Sequence, residues 1–167
     1  MNVLAIDPGP TESAYVIWDG ERITDKGKQT NHNVLYLLSH PDVFAISPDC
    51  LIIEQIKSYG MAVSDSIFDT VYWSGRFCEA WGARGFFDRI PRMDVKMYLC
   101  HSSRAKDSNI RQALIDRFGE PGTKRNQGIT YGLKADLWAA FALAVTWLDQ
   151  TDKCQNISVI YQAKTIS

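Results

Sequence analysis

Asp7, Glu54 and Asp136 are the residues of this chain whose local setting makes a charge costly. Asp7 closes the apolar run Val3-Leu4-Ala5-Ile6, Glu54 closes Leu51-Ile52-Ile53, and Asp136 opens a segment that is apolar nearly all round. A buried carboxylate must be paired, hydrogen-bonded or bound to a cation. If the first two segments are neighbouring strands, Asp7 and Glu54 stand side by side as repelling anions. A hard divalent cation with a preference for oxygen, Mg2+ or Mn2+, relieves that repulsion. Two such ions, roughly 3.5–4 Å apart, can activate water and stabilise the leaving oxygen of a phosphodiester. Each acid taken singly also has an ordinary reading, since an Asp before Pro8-Gly9 is a common turn residue.

The charge distribution fits a phosphate-binding surface beside a carboxylate-rich site. Eleven basic and five acidic residues lie between Arg84 and Lys134, a net +6 in a chain of net charge −1, so the remainder carries −7. A solvated helical face rich in Arg and Lys would give the same count. The chain has 167 residues, 46% hydrophobic and 22% charged, the composition of one globular domain. Cys50, Cys78, Cys100 and Cys154 are widely spaced, with no pattern for structural zinc and no expectation of disulfides. The first apolar run is too short for a signal peptide, and no stretch reaches the length of a membrane span, so a cytoplasmic protein is expected.

The elements that position these acids follow from the pattern. Asn2–Ile6 reads as a buried strand closed by a turn. Ser13–Trp18 is a second strand, and Asp19-Gly20 forms a two-residue hairpin turn into a third, about Glu21–Lys26. Asn31 or Asn33 can cap a helix running to Ser39, before His40-Pro41. The continuous apolar run Cys50–Ile53 has the character of a central strand covered on both faces. Ser64–Trp81 is helical, with Ile67, Val71, Cys78 and Trp81 in one stripe and Phe68, Tyr72, Trp73 and Phe77 around the rest. Two surfaces must cover such a helix: the sheet and a second subunit, or the molecule's own core on both sides. Phe86–Ile90 is a further strand, followed by a polar basic stretch, a helix from Asp107 or Ser108 to Phe118, a loop over Glu120–Gly132 and a last helix over Ala135–Leu148. Together these predict an α/β domain over residues 1–150, built on a mixed five-stranded sheet flanked by helices. A tail, residues 151–167, follows, in which Ile157–Gln162 has the pattern of a further edge strand.

Four motifs in order resemble the RuvC-type Holliday-junction resolvases of the ribonuclease H-like superfamily. Ala5-Ile6-Asp7-Pro8-Gly9 with the strand after it resembles their first acidic motif, and Leu51-Ile52-Ile53-Glu54-Gln55 their second. Val95-Lys96 and Ala105-Lys106 resemble their DNA-contacting lysine region. Ala135-Asp136, running into Ala139–Thr146, resembles the alanine-rich helix with the last acids. The likeness spans about residues 2–148. It implies a ribonuclease H-like fold and a homodimer acting on branched DNA such as four-way junctions and forks. It implies Asp7, Glu54 and Asp136 as ligands of Mg2+ or Mn2+, two ions per site, and symmetric nicks leaving 5′-phosphates. Lys96, Lys106 and Arg104 would then hold backbone phosphates, and Lys134 would lend positive charge near the scissile phosphate.

Two departures stand out. Ala139 occupies the position of a further family acid, so the site either holds one ion less tightly or borrows another group such as Glu12, Asp65 or Asp69. Near Ile56-Lys57 the bacterial enzymes carry an aromatic wedge; here Lys57 and the nearby Tyr59 are the DNA-facing candidates. Both departures resemble phage-encoded members acting on several branched structures in a bacterial cell. Three other readings stay open: a nuclease of the same fold acting on RNA–DNA hybrids, a non-catalytic junction-binding protein, and an actin-like or sugar-kinase ATPase. Two such ATPase domains do not fit in 167 residues.

Overall fold

The apolar runs that end in Asp7 and Glu54 become the two central strands of a mixed sheet. The computed structural model describes residues 1–60 and 62–165, with side chains through Thr151. Its strands are β1 Val3–Asp7, β2 Glu12–Trp18, β3 Ile23–Thr30, β4 Cys50–Gln55 and β5 Phe87–Pro91, in the order β3-β2-β1-β4-β5. β1-β2 and β2-β3 pair antiparallel, whereas β1-β4 and β4-β5 pair parallel. Helices α1 Asn31–Ser39 and α2 Asp65–Gly82 cover one face. Helices α3 Arg92–Cys100, α4 Asp107–Phe118 and α5 Leu137–Thr165 cover the other. This is the five-stranded, helix-flanked sheet expected from the sequence.

Side chains alternate between the two faces of a strand, and the two cores follow that rule. Leu4, Ile6, Ile17, Leu51 and Ile53 pack with Val34, Leu38, Phe77 and Trp81 under α1 and α2. Val3, Ala5, Val16, Trp18 and Ile52 pack against α5. Asp7 and Glu54 continue this second set, so both carboxylates leave the sheet toward α5. Ala140, Ala142 and Ala144 are fully buried, and their small side chains let α5 lie close on β1 and β2. Trp18, Phe118 and Phe141 close this core as a ring cluster with centroids 5.0–5.4 Å apart.

The structure corrects several expectations. The hairpin turn is not Asp19-Gly20 alone. Asp19 Oδ1 accepts from the backbone N–H groups of Glu21 and Arg22, so the turn takes four residues and β3 runs from Ile23 to Thr30. Thr30, not Asn31 or Asn33, caps α1, its Oγ1 accepting from Asn33 N–H. On α2 the buried face is Thr70, Phe77 and Trp81, while Val71 of the expected stripe is 48% exposed. The basic stretch after β5 contains α3, whose polar sequence hides its apolar contact at Val95. The expected edge strand at Ile157–Gln162 is instead the continuation of α5, since no Gly or Pro interrupts the chain between Ala135 and Thr165. Among the described residues, no helix is long and apolar enough to cross a membrane.

The reassigned face of α2 gives a stability test. Phe77→Ala should cost about 3–5 kcal/mol, the range for emptying a buried aromatic site. Val71→Ala should cost under about 1 kcal/mol. Urea denaturation of the two variants measures the difference, and equal losses would return the apolar stripe to Val71.

Candidate metal centre and nucleic-acid interface

Strand register assembles the site. Asp7 pairs with Ala14 across β1-β2, and Ala14 pairs with Lys28 across β2-β3. On the other side Ile6 pairs with Ile53, which carries Glu54 to the same end of the sheet. Lys28, Ala14, Asp7 and Glu54 therefore form one row on the face beneath α5. Asp136 sits on the turn that opens α5, where its carbonyl accepts from Ala139 and Ala140. Arg92, the first residue of α3, follows the end of β5 beside β4.

A buried polar clasp fixes the backbone just after Asp7. Ser13 Oγ donates to Asn31 Oδ1 at 2.6 Å, Gly9 N–H donates to Ser13 Oγ, and Asn31 Nδ2 donates to the Gly9 carbonyl at 2.9 Å. Ser13 and Asn31 are each 1% exposed, and satisfied hydrogen bonds let them stay there. Gly9 is required in this turn because a Cβ would come within 2.4 Å of the Glu12 carbonyl oxygen.

The carboxylates carry the electrostatic signature of crowding. Burial, then the Glu54 anion, pushes Asp7 up to about 8, with Asp136 and Asp107 adding to the rise and Arg92 opposing it. Burial also raises Glu54, against the charge and hydrogen bond of Arg92 and a hydrogen bond from the Asp7 carboxyl. Arg92 Nη1 lies 2.9 Å from Glu54 Oε2, and its Nη2 lies 2.7 Å from Asp107 Oδ1. Lys28 Nζ lies 2.8 Å from Asp136 Oδ2 and 3.8 Å from Glu12 Oε2. Two cations thus flank the acids, one from each side of the sheet.

The donor set fits a hard divalent ion. Asp7 and Glu54 stand at neighbouring strand ends where two anions repel, and a hard cation between them relieves that repulsion. Among the described residues no three His, Cys, Asp or Glu side chains draw together closely enough to enclose an ion; Asp136 is held by Lys28 instead. Of the acids weighed for completing the site, Glu12 is brought to it through Lys28, whereas Asp65 and Asp69 ride on α2, which packs on the opposite face. Lys134 is exposed on the turn before Asp136; among the described residues, the cations paired with these carboxylates are Lys28 and Arg92.

The DNA-facing candidates divide in two. Lys57, Tyr59 and Lys96 line one groove of about 280 Å³ together with Glu54 and Arg92, directly beside the carboxylates. Tyr59 is 51% exposed and has φ 48°, a conformation uncommon for a non-glycine residue. Arg104 and Lys106 lie exposed on the connection from α3 to α4, where the Lys106 N–H donates to Asn109 Oδ1 as α4 begins.

Sequence reasoning missed Lys28, Arg92 and Asp107. Ending β3 at Lys26 left Lys28 outside the sheet, although its register with Ala14 brings it to the site. Arg92 carried a signal, since it directly follows a strand that closes at Pro91.

No family model matches the chain, and no curated protein matches it in sequence. Solved structures do match. Thermus thermophilus RuvC in complex with a Holliday junction substrate aligns with a TM-score of 0.68 at 15% identity, over 87% of this chain and 92% of that one. The fowlpox virus resolvase with its Holliday junction DNA aligns at 0.52 and 14% identity, over 89% and 99%. The yeast mitochondrial Holliday junction resolvase Ydc2 aligns at 0.53 and 13% identity, over 87% and 76%. The chain has the ribonuclease H-like fold of these resolvases.

The raised Asp7 value sets a pH dependence for the metal-free protein. A carboxyl held protonated by the fold binds a proton that the unfolded chain has released, so its burial destabilises increasingly from pH 3.8 up to about 8. Thermal melts in EDTA should therefore fall over that window, and Asp7→Asn should flatten the decline and melt higher than the parent at pH 8. A steeper decline in the variant would contradict the assignment.

Proposed function

We propose that this protein is a divalent-metal-dependent endonuclease that resolves Holliday junctions or other branched DNA. The observation that carries the reading is the meeting of Asp7 and Glu54 at the same end of adjacent central strands, beside the turn at Asp136 that opens α5. The shared fold supports it, as does the groove of Lys57, Tyr59 and Lys96 opening beside the same acids. Asp7 and Glu54, with Asp136, would hold Mg2+ or Mn2+. Such an ion supplies Lewis-acid stabilisation of phosphate charge and lowers the pKa of a bound water. In the reaction the oxygen of water bonds to phosphorus and the P–O3′ bond breaks. The phosphate stays on the 5′ end, and the 3′ oxygen leaves as a hydroxyl carrying one of the water's protons. Lys57 and Lys96 fix the strand by its phosphates, and Tyr59 offers a face on which a base can stack.

Symmetric nicking needs two sites, and the outer face of α2 suits a second copy of the chain. Phe68, Val71 and Tyr72 are 48–63% exposed there. The Arg76 guanidinium lies over Tyr72 and Trp73. Gly75, at the middle of this face, has open space where a Cβ would stand, so two such helices can approach closely around a two-fold axis.

Two measurements test the reading. Incubation with Mg2+ should nick a mobile four-way junction in preference to a linear duplex or an RNA–DNA hybrid, and EDTA should stop it. Asp7→Asn should slow cutting by on the order of 100-fold or more while retaining junction binding. Preference for the hybrid would move the substrate class, and binding without cutting by the parent protein would make it a junction-binding module. In sedimentation equilibrium the parent chain should run as a dimer and Phe68→Glu as a monomer; a monomeric parent would remove α2 as the interface.

A further inference from the structure

The Lys28 ammonium is tethered between two carboxylates at the rim of the acidic cluster, 2.8 Å from Asp136 and 3.8 Å from Glu12. Its place is set by the sheet. Lys28 stands in the same row as Asp7, separated by the small, buried Ala14. The hydrogen bond to Asp136, with the charges of Asp136 and Glu12, holds its ammonium above the usual lysine range. A cation between two carboxylates, beside a second pair formed by Asp7 and Glu54, reproduces the charge pattern of a site for two divalent ions. One of the two cation positions, however, is taken by the protein itself. Position 139, one turn into α5 from Asp136, is an alanine and offers no further oxygen.

We propose that Lys28 is a built-in cation standing at the second cation position, so that each site takes a single divalent ion, between Asp7 and Glu54. This replaces the two-ion expectation and rests on the metal-dependent reading of the site. Lys28 is a positioning residue in this arrangement: it holds Asp136 toward the site and neutralises the Asp136–Glu12 pair without an exchangeable ion. Removing its charge leaves two unpaired carboxylates, which a second divalent ion can bridge.

The test counts ions with the full chain and no DNA, by calorimetry and by the electron paramagnetic resonance of free Mn2+. The parent protein should bind one Mn2+ per protomer, Lys28→Arg one, and Lys28→Met two. Circular dichroism checks that each variant is folded. Two ions on the parent, or an unchanged count and affinity in Lys28→Met, would overturn the role of Lys28. Zero ions on the parent would overturn the metal reading and this one with it. One ion on the parent with no cleavage of any branched substrate would overturn the nuclease reading alone, leaving the assignment of Lys28 in place.

Discussion

Parallel pairing of β1 with β4 brings two carboxylates to the same end of adjacent central strands, on a face that α5 largely closes from water. Neither Asp7 nor Glu54 can move away without losing the register that buries Val3, Ala5, Cys50 and Ile52. The repulsion is therefore built into the hydrophobic core, and the surrounding polar groups are answers to it. Arg92 approaches Glu54 from the β5 side and Lys28 approaches Asp136 from the β3 side, while burial and the Glu54 charge push the Asp7 carboxyl up. The packing of a whole sheet holds the two acids together, so a cation between them would require no rearrangement of the core.

The clasp of Gly9, Ser13 and Asn31 serves the same constraint. A loop that followed Asp7 loosely would let the carboxylate swing into solvent and shed its burial. Instead the turn is bonded to β2 and to the start of α1 through groups that are themselves buried. Moving any one of them would leave an unsatisfied polar atom in the interior, at a cost of about 1–3 kcal/mol. The rigidity around Asp7 thus comes from hydrogen-bond satisfaction, whereas that around Glu54 comes from strand pairing and the Arg92 ion pair.

Features set by short-range pattern were legible in the sequence. The central strands, the strand-end acids and the buried last helix follow from apolar runs with charged ends, and all three acids were named from that context. Lys28 and Arg92 were harder because their roles depend on register between strands distant in sequence. Misjudging the Asp19–Arg22 turn by two residues moved the end of β3 and hid Lys28 altogether. The α2 stripe failed for a different reason. Apolar residues surround that helix, so periodicity alone does not say whether Val71 or Phe77 meets the sheet; the tertiary core, which takes in Phe77 with Leu4, Ile6, Leu51 and Ile53, decides it. At the C-terminus, β-branched residues suggested a strand, but unbroken helical continuity from α5 prevailed.

The charge asymmetry of the chain gains a geometric meaning from this arrangement. A polyanionic strand approaching five carboxylates would be repelled within a Debye length of roughly 10 Å, unless fixed cations stand between them and the backbone. Lys57 and Lys96 do so on the groove beside Glu54, and Arg104 and Lys106 extend the positive surface along the α3–α4 connection. Lys28 and Arg92 are already paired with Asp136 and Glu54, so their charges neutralise those acids. Under the proposed function, the unpaired lysines and arginines would govern affinity and its salt dependence, and the paired ones the electrostatics of the acids. That separation follows from which cations the register of the sheet places within ion-pair distance of the acids.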